Sequence, residues 1–305
     1  MIFSESSSEN VRASDRRHKE KPVIMKHESG IRPEIPLPEI RREFNKYDRG
    51  RLFIIGGSYG MAGALIMAAR AALRTGAGYV DLAMPESIYP VVTGAVPEAV
   101  CSVYQENSEE SIRRTLQTGL ERADAAVIGC GLGKFRDSVC PAFFESCRVP
   151  AAADADALNY LASLEEPLSL GEKILLTPHE GEMARLLKTD SMTVHENRRE
   201  SVLKAAGMYK ASVLLKGPDT LIFTPGREPA VNRTGNAGMA RAGSGDVLSG
   251  MIGALMAQGM EPFDAAVFGA WLHGEAGDRC REKYGIRSML PTDMIEMIPA
   301  ILKEC

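Results

Sequence analysis

The 305-residue sequence has no H-E-x-x-H motif, no paired cysteines, no long uncharged apolar run and no excess of basic residues. Without the first two, a metal site built from closely spaced protein ligands is not expected. The six cysteines, at 101, 130, 140, 147, 280 and 305, include no C-x-x-C pair. Most lie in apolar runs, where a reduced thiol packs as a small hydrophobe, so a reducing, cytoplasmic compartment is expected. The longest apolar stretches, such as Met61 to Leu73, are broken by Arg70 and fall short of the roughly 20 residues that cross a bilayer. No membrane span is expected. Lys and Arg total 36 against 40 Asp and Glu, a formal charge of -4, which gives no electrostatic reason to expect nucleic acid or an anionic membrane as partner. The N-terminal residues have no apolar core and are partly acidic, unlike secretory or organellar signals.

Two familiar phosphate motifs are absent as well. Gly129 to Lys134 approaches a P-loop, but its first Gly would fall on Ile128 and Phe135 follows the lysine. The same segment misses the dinucleotide fingerprint G-x-G-x-x-G, because its third Gly comes one residue early.

What is present is a 45% hydrophobic composition, enough to fill a large core, and a β-then-α rhythm. Residues 1 to 30 alternate charge and serine and would not recover their ordering entropy, so they read as a mobile extension. Residues 31 to 305 read as one domain, entered through an extended segment holding Pro33, Pro36 and Pro38. Apolar strands at Arg51–Ile55, Tyr79–Ala83, Ala125–Ile128, Pro150–Ala153 and Ile174–Leu176 border polar or glycine-rich loops, and an Ala-rich helix spans about Gly63 to Arg74. Such repeated units predict a mostly parallel sheet covered by helices on both faces, with ligands outside the carboxyl ends of the strands. A helix is expected over Arg198–Lys210. The runs Val213–Lys216, Thr220–Phe223 and Ala230–Asn232 are too close for intervening helices and read as antiparallel edge strands. Further helices are expected from Gly243 to about Ala257, from Pro262 to Glu275, and after Pro291.

Asn236 to Gly250 is the most informative stretch. Small residues at 242 to 245 let the backbone approach a ligand, and a following helix offers free N–H groups and a positive dipole end to an anion. Gly243, Ser244 and Gly245 are thus a candidate anion hole. Asp246, in the first turn, is placed to accept a proton from an attacking hydroxyl; on spacing alone a simple helix start remains open. Lys216-Gly217-Pro218-Asp219-Thr220 puts a cation and a bare turn at a sheet edge where a nucleotide could lie, with a plain hairpin as the alternative. His179 sits between strand and helix, where a structural role competes with a catalytic one. His195 and His273 receive no role.

In order along the chain, Gly56-Gly57-Ser58, Ala62-Gly63-Ala64, Arg74 to Gly78, Pro97-Glu98-Ala99, Gly129 to Gly133, Asp154 to Leu158, Thr177 to Glu182, Lys216-Gly217 and Asn236 to Gly250 resemble the signatures of ADP-dependent NAD(P)H-hydrate dehydratases. The resemblance runs from about Asn45 to the C-terminus. It implies a ribokinase-like three-layer sandwich and a hydro-lyase that restores NADH or NADPH from the S-form of the hydrated dinucleotide while ADP becomes AMP and phosphate. By the same resemblance, Ala64, Gly131, His179 and Asp246 contact the hydrated dinucleotide, and Asp246 is the base. Lys216, Gly217, Pro218, Asp219, Thr220 and Gly245 contact the adenine nucleotide. ADP is the implied donor, with ATP as the alternative, and Mg²⁺ would arrive with the phosphates. A homotetramer is also implied. The residues before Asn45 are too few for the epimerase domain that many members carry, so a separate epimerase is expected. Cys130 stands where Pro is frequent, and Arg241 where a small residue is usual. The rival readings are a small-molecule alcohol kinase of the same superfamily and a non-catalytic nucleotide sensor.

Overall fold

The computed structural model describes residues 32–305; the extension expected over residues 1–30 lies outside the described residues. Its first half contains β1 (Arg51–Ile55), α1 (Ala62–Arg74), β2 (Tyr79–Pro85), α2 (Tyr89–Ala95), β3 (Val100–Tyr104), α3 (Glu109–Arg122), β4 (Ala125–Ile128) and α4 (Arg136–Ser146). Then come β5 (Ala151–Ala153), α5 (Asp156–Ser163), β6 (Ile174–Leu176), α6 (Glu180–Leu186), α7 (Ser191–Glu196), α8 (Arg198–Tyr209), β7 (Ser212–Leu215), β8 (Thr220–Phe223) and β9 (Ala230–Asn232). Three helices follow, α9 (Ser244–Ala257), α10 (Pro262–Tyr284) and α11 (Pro291–Lys303).

The strands form one nine-stranded sheet in the order β3-β2-β1-β4-β5-β6-β7-β8-β9. Pairing is parallel from β3 through β7; β8 and β9 return antiparallel. β7 therefore joins the parallel sheet on one side and the antiparallel edge on the other.

Short, uniformly apolar strands are what a parallel sheet covered on both faces requires. In β1, Leu52 and Ile54 face a core built with α1, α2, α9, α10 and α11. Phe53 and Ile55 face a second core built with α3, α4, α5, α6 and α8. All four side chains are buried, which gives the three layers. Two differences from the sequence reading have physical causes. β3 is an edge strand with a largely exposed or half-buried pattern, so its apolar signal is weak. α10 continues past Glu275 to Tyr284, because Gly274 and Gly277 are close-approach positions there: a Cβ at 274 would lie 2.1 Å from Thr234 Oγ1, and one at 277 would lie 2.3 Å from Met239 Sδ.

Strand order reverses between β1 and β4, and the loops after those strands open at this switch point. They are laced together: Gly57 N donates to Cys130 O at 2.8 Å and Ser58 Oγ to Gly131 O at 2.9 Å. Parallel pairing brings the ends of β4, β5, β6 and β7 to the same rim, the first turn of α9 packs against it, and the groups discussed next lie there.

Candidate active site

Five chain segments meet at this rim. Asp154 directly follows β5; its Oδ1 accepts a hydrogen bond from Lys216 Nζ at 2.7 Å and its Oδ2 accepts one from Ser249 Oγ at 2.8 Å. Lys216, just past β7, also lies 3.7 Å from Glu182 Oε2. Burial pulls the Lys216 ammonium down, but Asp154 and Glu182 outweigh it and hold its pKa above the ordinary lysine value. The cation expected at a sheet edge is in fact enclosed among carboxylates. It sits under the start of α9, where a Cβ on Gly245 would lie 3.3 Å from its Nζ.

Gly243 caps α9 with φ +96, a left-handed conformation natural to glycine. The Ser244 amide donates to Arg241 O at 3.2 Å, so of the anion hole expected at Gly243, Ser244 and Gly245 it is the Gly245 amide, in the first turn at the positive end of the helix, that has no intrahelical partner. Ser244 is anchored from behind, its Oγ 3.2 Å from His273 Nε2. His273 is buried, and that burial takes its pKa down to about 4. Asp246 follows in the first turn, half-buried. Desolvation and the Asp154 charge push its pKa up to about 6, against the lowering pull of Cys130 and Lys216. An isolated anchoring carboxylate would not need such an environment, whereas a proton acceptor working near neutral pH gains from it.

Ala64 and Gly131 come together on the β1/β4 side: a Cβ on Gly131 would lie 3.1 Å from that of Ala64. Asp156 Oδ2 accepts from Gly133 N at 2.8 Å and fixes this loop. On the opposite side, His179 caps α6. Its Nδ1 accepts from the Gly181 and Glu182 amides at 3.0 and 3.3 Å, so a neutral ring carries its proton on Nε2. The ring itself is 55% exposed, and its Glu182 neighbour leads back to Lys216. His179 thus shapes the helix start and still presents an imidazole face outward.

The turn Lys216 to Thr220 is held by its own Thr220 Oγ1 donating to Gly217 O at 2.9 Å. It is also held from below by Arg198, whose Nη2 lies 3.4 Å from both Leu215 O and Lys216 O and whose guanidinium pairs with Glu180. Pro218 and Asp219 form the exposed tip, with Asp219 at φ +51. Asp154, Glu182, Arg198, Ser249 and His273 carried no role in the sequence reading. Asp154, Glu182 and Ser249 lay inside quoted motifs without a role of their own, while Arg198 and His273 look like ordinary helical residues until the helices are docked.

Two departures noted in the sequence also find their place. Cys130 is buried beside Asp246 and Asp154, and desolvation first and those charges second drive its thiol pKa well up. It is inert as a nucleophile. Arg241 is exposed on the approach to the Gly243 turn and hydrogen-bonds to Arg287 O. Among the described residues all six cysteines are free, and no helix is long and apolar enough to cross a membrane.

A family model described as NAD(P)H-hydrate dehydratase matches residues 52–300. The ADP-dependent (S)-NAD(P)H-hydrate dehydratase of Neisseria meningitidis is 40% identical over 79% of this chain and 80% of its own length. The bifunctional NAD(P)H-hydrate repair enzyme of Moorella thermoacetica is 40% identical over 88% of this chain but only 52% of its own length. The chain thus spans about half the length of such bifunctional relatives. Among solved structures, the ADP/ATP-dependent NAD(P)H-hydrate dehydratase of Bacillus subtilis, co-crystallized with ATP and Mg²⁺, superposes with a TM-score of 0.77. It is 28% identical, covering 88% of this chain and 94% of that one.

Proposed function

Because the chain belongs to the NAD(P)H-hydrate dehydratase family, we propose that it restores NADH and NADPH from the S-form of their hydrates with ADP as phosphoryl donor. The observation that carries this is the position of Asp246, held in the first turn of α9 beside Lys216 and the Gly243-Ser244-Gly245 turn.

The proposed sequence is direct. Asp246 takes the proton from the hydroxyl on the damaged ring as that oxygen attacks the terminal phosphorus, and AMP leaves. The Gly243-Ser244-Gly245 turn offers the transferring group an N–H donor through the Gly245 amide. Phosphate then departs with the C–O electron pair, pushed by the ring nitrogen, and loss of a proton from the adjacent ring carbon restores the double bond. Ala64, Gly131 and His179 line the dinucleotide side; Lys216, Gly217, Pro218, Asp219, Thr220 and Gly245 line the nucleotide side. Among the described residues no group of three or more His, Cys, Asp or Glu is arranged to hold a metal. A Mg²⁺ ion that arrives with the phosphates needs only one or two protein oxygens, and a rim where three carboxylates face one lysine suits it. There it would neutralise phosphate charge. The free thiols and the chemistry fit a cytoplasmic enzyme. Epimerisation of the R-hydrate falls to another polypeptide or domain, and a tetramer is the assembly we expect.

Supplying the S-form of hydrated NADH with ADP and Mg²⁺ should return the reduced-nicotinamide absorbance, faster than with ATP. A stable phosphorylated alcohol would instead favour the kinase reading, and nucleotide binding without turnover the sensor. The pH dependence is a second check. Asp246 must be ionised to accept the proton, so kcat/KM should hold above pH 6 and fall about tenfold per unit below it. An acid limb centred near pH 4 would show that the surroundings do not raise the Asp246 carboxyl, and the absence of any acid limb that its removal alters would show that Asp246 is not the base.

A further inference from the structure

Asp154 has no part in the proton or phosphoryl transfer above, yet it is the most heavily constrained group at the rim. Its side chain is 3% exposed, and both oxygens are engaged, one by Lys216 and one by Ser249. A single carboxylate therefore fastens the end of β5 to the end of β7 and to α9. Ser249 lies three residues beyond Asp246, on the same side of the helix, so the Ser249 hydroxyl reports and restrains the rotation of the turn that carries Asp246.

The backbone around Asp154 is equally committed. A Cβ at Gly129 would sit 1.8 Å from Asp154 O, so the β4 loop lies directly on it. The next residue, Ala155, adopts φ +47 and ψ -111, a conformation that L residues rarely hold and that persists only when the surroundings over-determine it. This kink sends neighbouring carboxylates to different targets: Asp154 toward Lys216 and α9, Asp156 back to Gly133 N. The space under Gly245 is shared, since a Cβ there would meet Lys216 Nζ at 3.3 Å and Asp154 Oδ2 at 3.5 Å.

We propose that Asp154 is a positioning residue for the phosphoryl transfer: it holds the Lys216 ammonium beneath the glycine turn and, through Ser249, sets the direction of Asp246. The proposal rests on the dehydratase reading. A carboxylate serving stability alone would not need to join the charge under the phosphoryl site to the helix that bears the base.

The test compares the unaltered chain with Asp154→Asn and Ser249→Ala in the hydrate assay with ADP and Mg²⁺. Asp154→Asn keeps the shape but loses the charge, so Lys216 is no longer held. kcat should drop by about 10- to 100-fold, as small misplacements at a reacting centre do, while the KM for the hydrate stays unchanged and ADP binds as tightly or more so. The acid limb of kcat/KM gives a readout that a merely structural role would not move. The groups facing Asp246 are Asp154 from β5, Lys216 from β7, Cys130 from the β4 loop and Asp156 at the start of α5. Removing the Asp154 charge should move the limb to lower pH. Ser249→Ala keeps that charge and should leave the limb in place while lowering kcat about fivefold, the worth of one hydrogen bond. If Asp154→Asn fails to fold, Ser249→Ala decides. Unchanged kcat in Ser249→Ala, or Asp154→Asn with kcat within twofold and an unmoved limb, overturns the proposal. No turnover by the unaltered chain removes the dehydratase reading and the proposal with it.

Discussion

Asp246→Asn should abolish nearly all turnover, by about 10³-fold, and at the same time make the protein more stable at pH 8. The first effect follows from loss of the proton acceptor, a contribution that usually falls between 10² and 10⁴. The second follows from where the carboxylate sits. Its folded-state pKa of about 6 lies above the unfolded value near 3.8, so its contribution to stability is fully present below pH 3.8 and is lost as pH rises through 6. At pH 8 the folded chain carries a penalty of about 2 to 3 kcal/mol that a neutral amide removes. The pH dependence sharpens the prediction because His273 runs the other way. Its folded pKa of about 4 lies below the unfolded 6.5, so it binds a proton more readily in the unfolded chain and costs stability as pH falls from 6.5 to 4. In the native protein the two slopes oppose each other between pH 4 and 6. In Asp246→Asn only the His273 slope remains, so the variant's advantage at pH 8 should vanish by pH 4. Denaturant midpoints at pH 4, 6 and 8, with activity at pH 8, measure all of this. A variant no more stable than the parent at pH 8 would mean that Asp246 is not strained by its surroundings.

Gly129→Ala should be the most damaging single-methyl change at the rim. Gly129 has φ +123, a region L side chains avoid, and the added carbon would overlap the Asp154 carbonyl at 1.8 Å. Neither partner has a flexible end that could swing aside, since the obstruction is backbone held by β5. A loss of about 3 kcal/mol or more is expected, at the upper end for overpacking, and the surviving folded fraction should have reduced kcat because Asp154 is displaced. Thermal unfolding and kcat on the same preparation measure it. A melting temperature within a degree of the parent would show that the β4 and β5 loops are less closely packed than described.

Much of the architecture was legible because the strands are short blocks such as Arg51–Ile55 and Ala125–Ile128 that end in glycine or a carboxylate, and the period of the chain repeats them. Asp246 was legible for the same local reason: a carboxylate directly after a glycine run, in the first turn of a helix. The supporting groups were not. Ser249 and His273 sit inside helices at positions that sequence periodicity assigns to the core, and only the docking of α9 on β5 and of α10 behind Ser244 gives them partners. Lys216 stands in a motif that the sequence shows, but its pairing with Asp154 spans 62 residues, a relation that no local pattern carries. β3 escaped notice because an edge strand needs less apolar surface, and the last turns of α10 because the run from Asp278 to Lys283 is almost wholly charged and carries little apolar periodicity.

In α9, every residue except Gly245 and Asp246 is buried, with α1, α10 and the sheet as its walls. The element proposed to carry the chemistry thus has almost no free surface on which to accumulate neutral variation. Changes of substrate or donor preference, whether by natural drift or in a laboratory selection, should therefore enter through the exposed tip at Pro218 and Asp219 or the approach at Arg241, with the buried remainder of the helix left as it is.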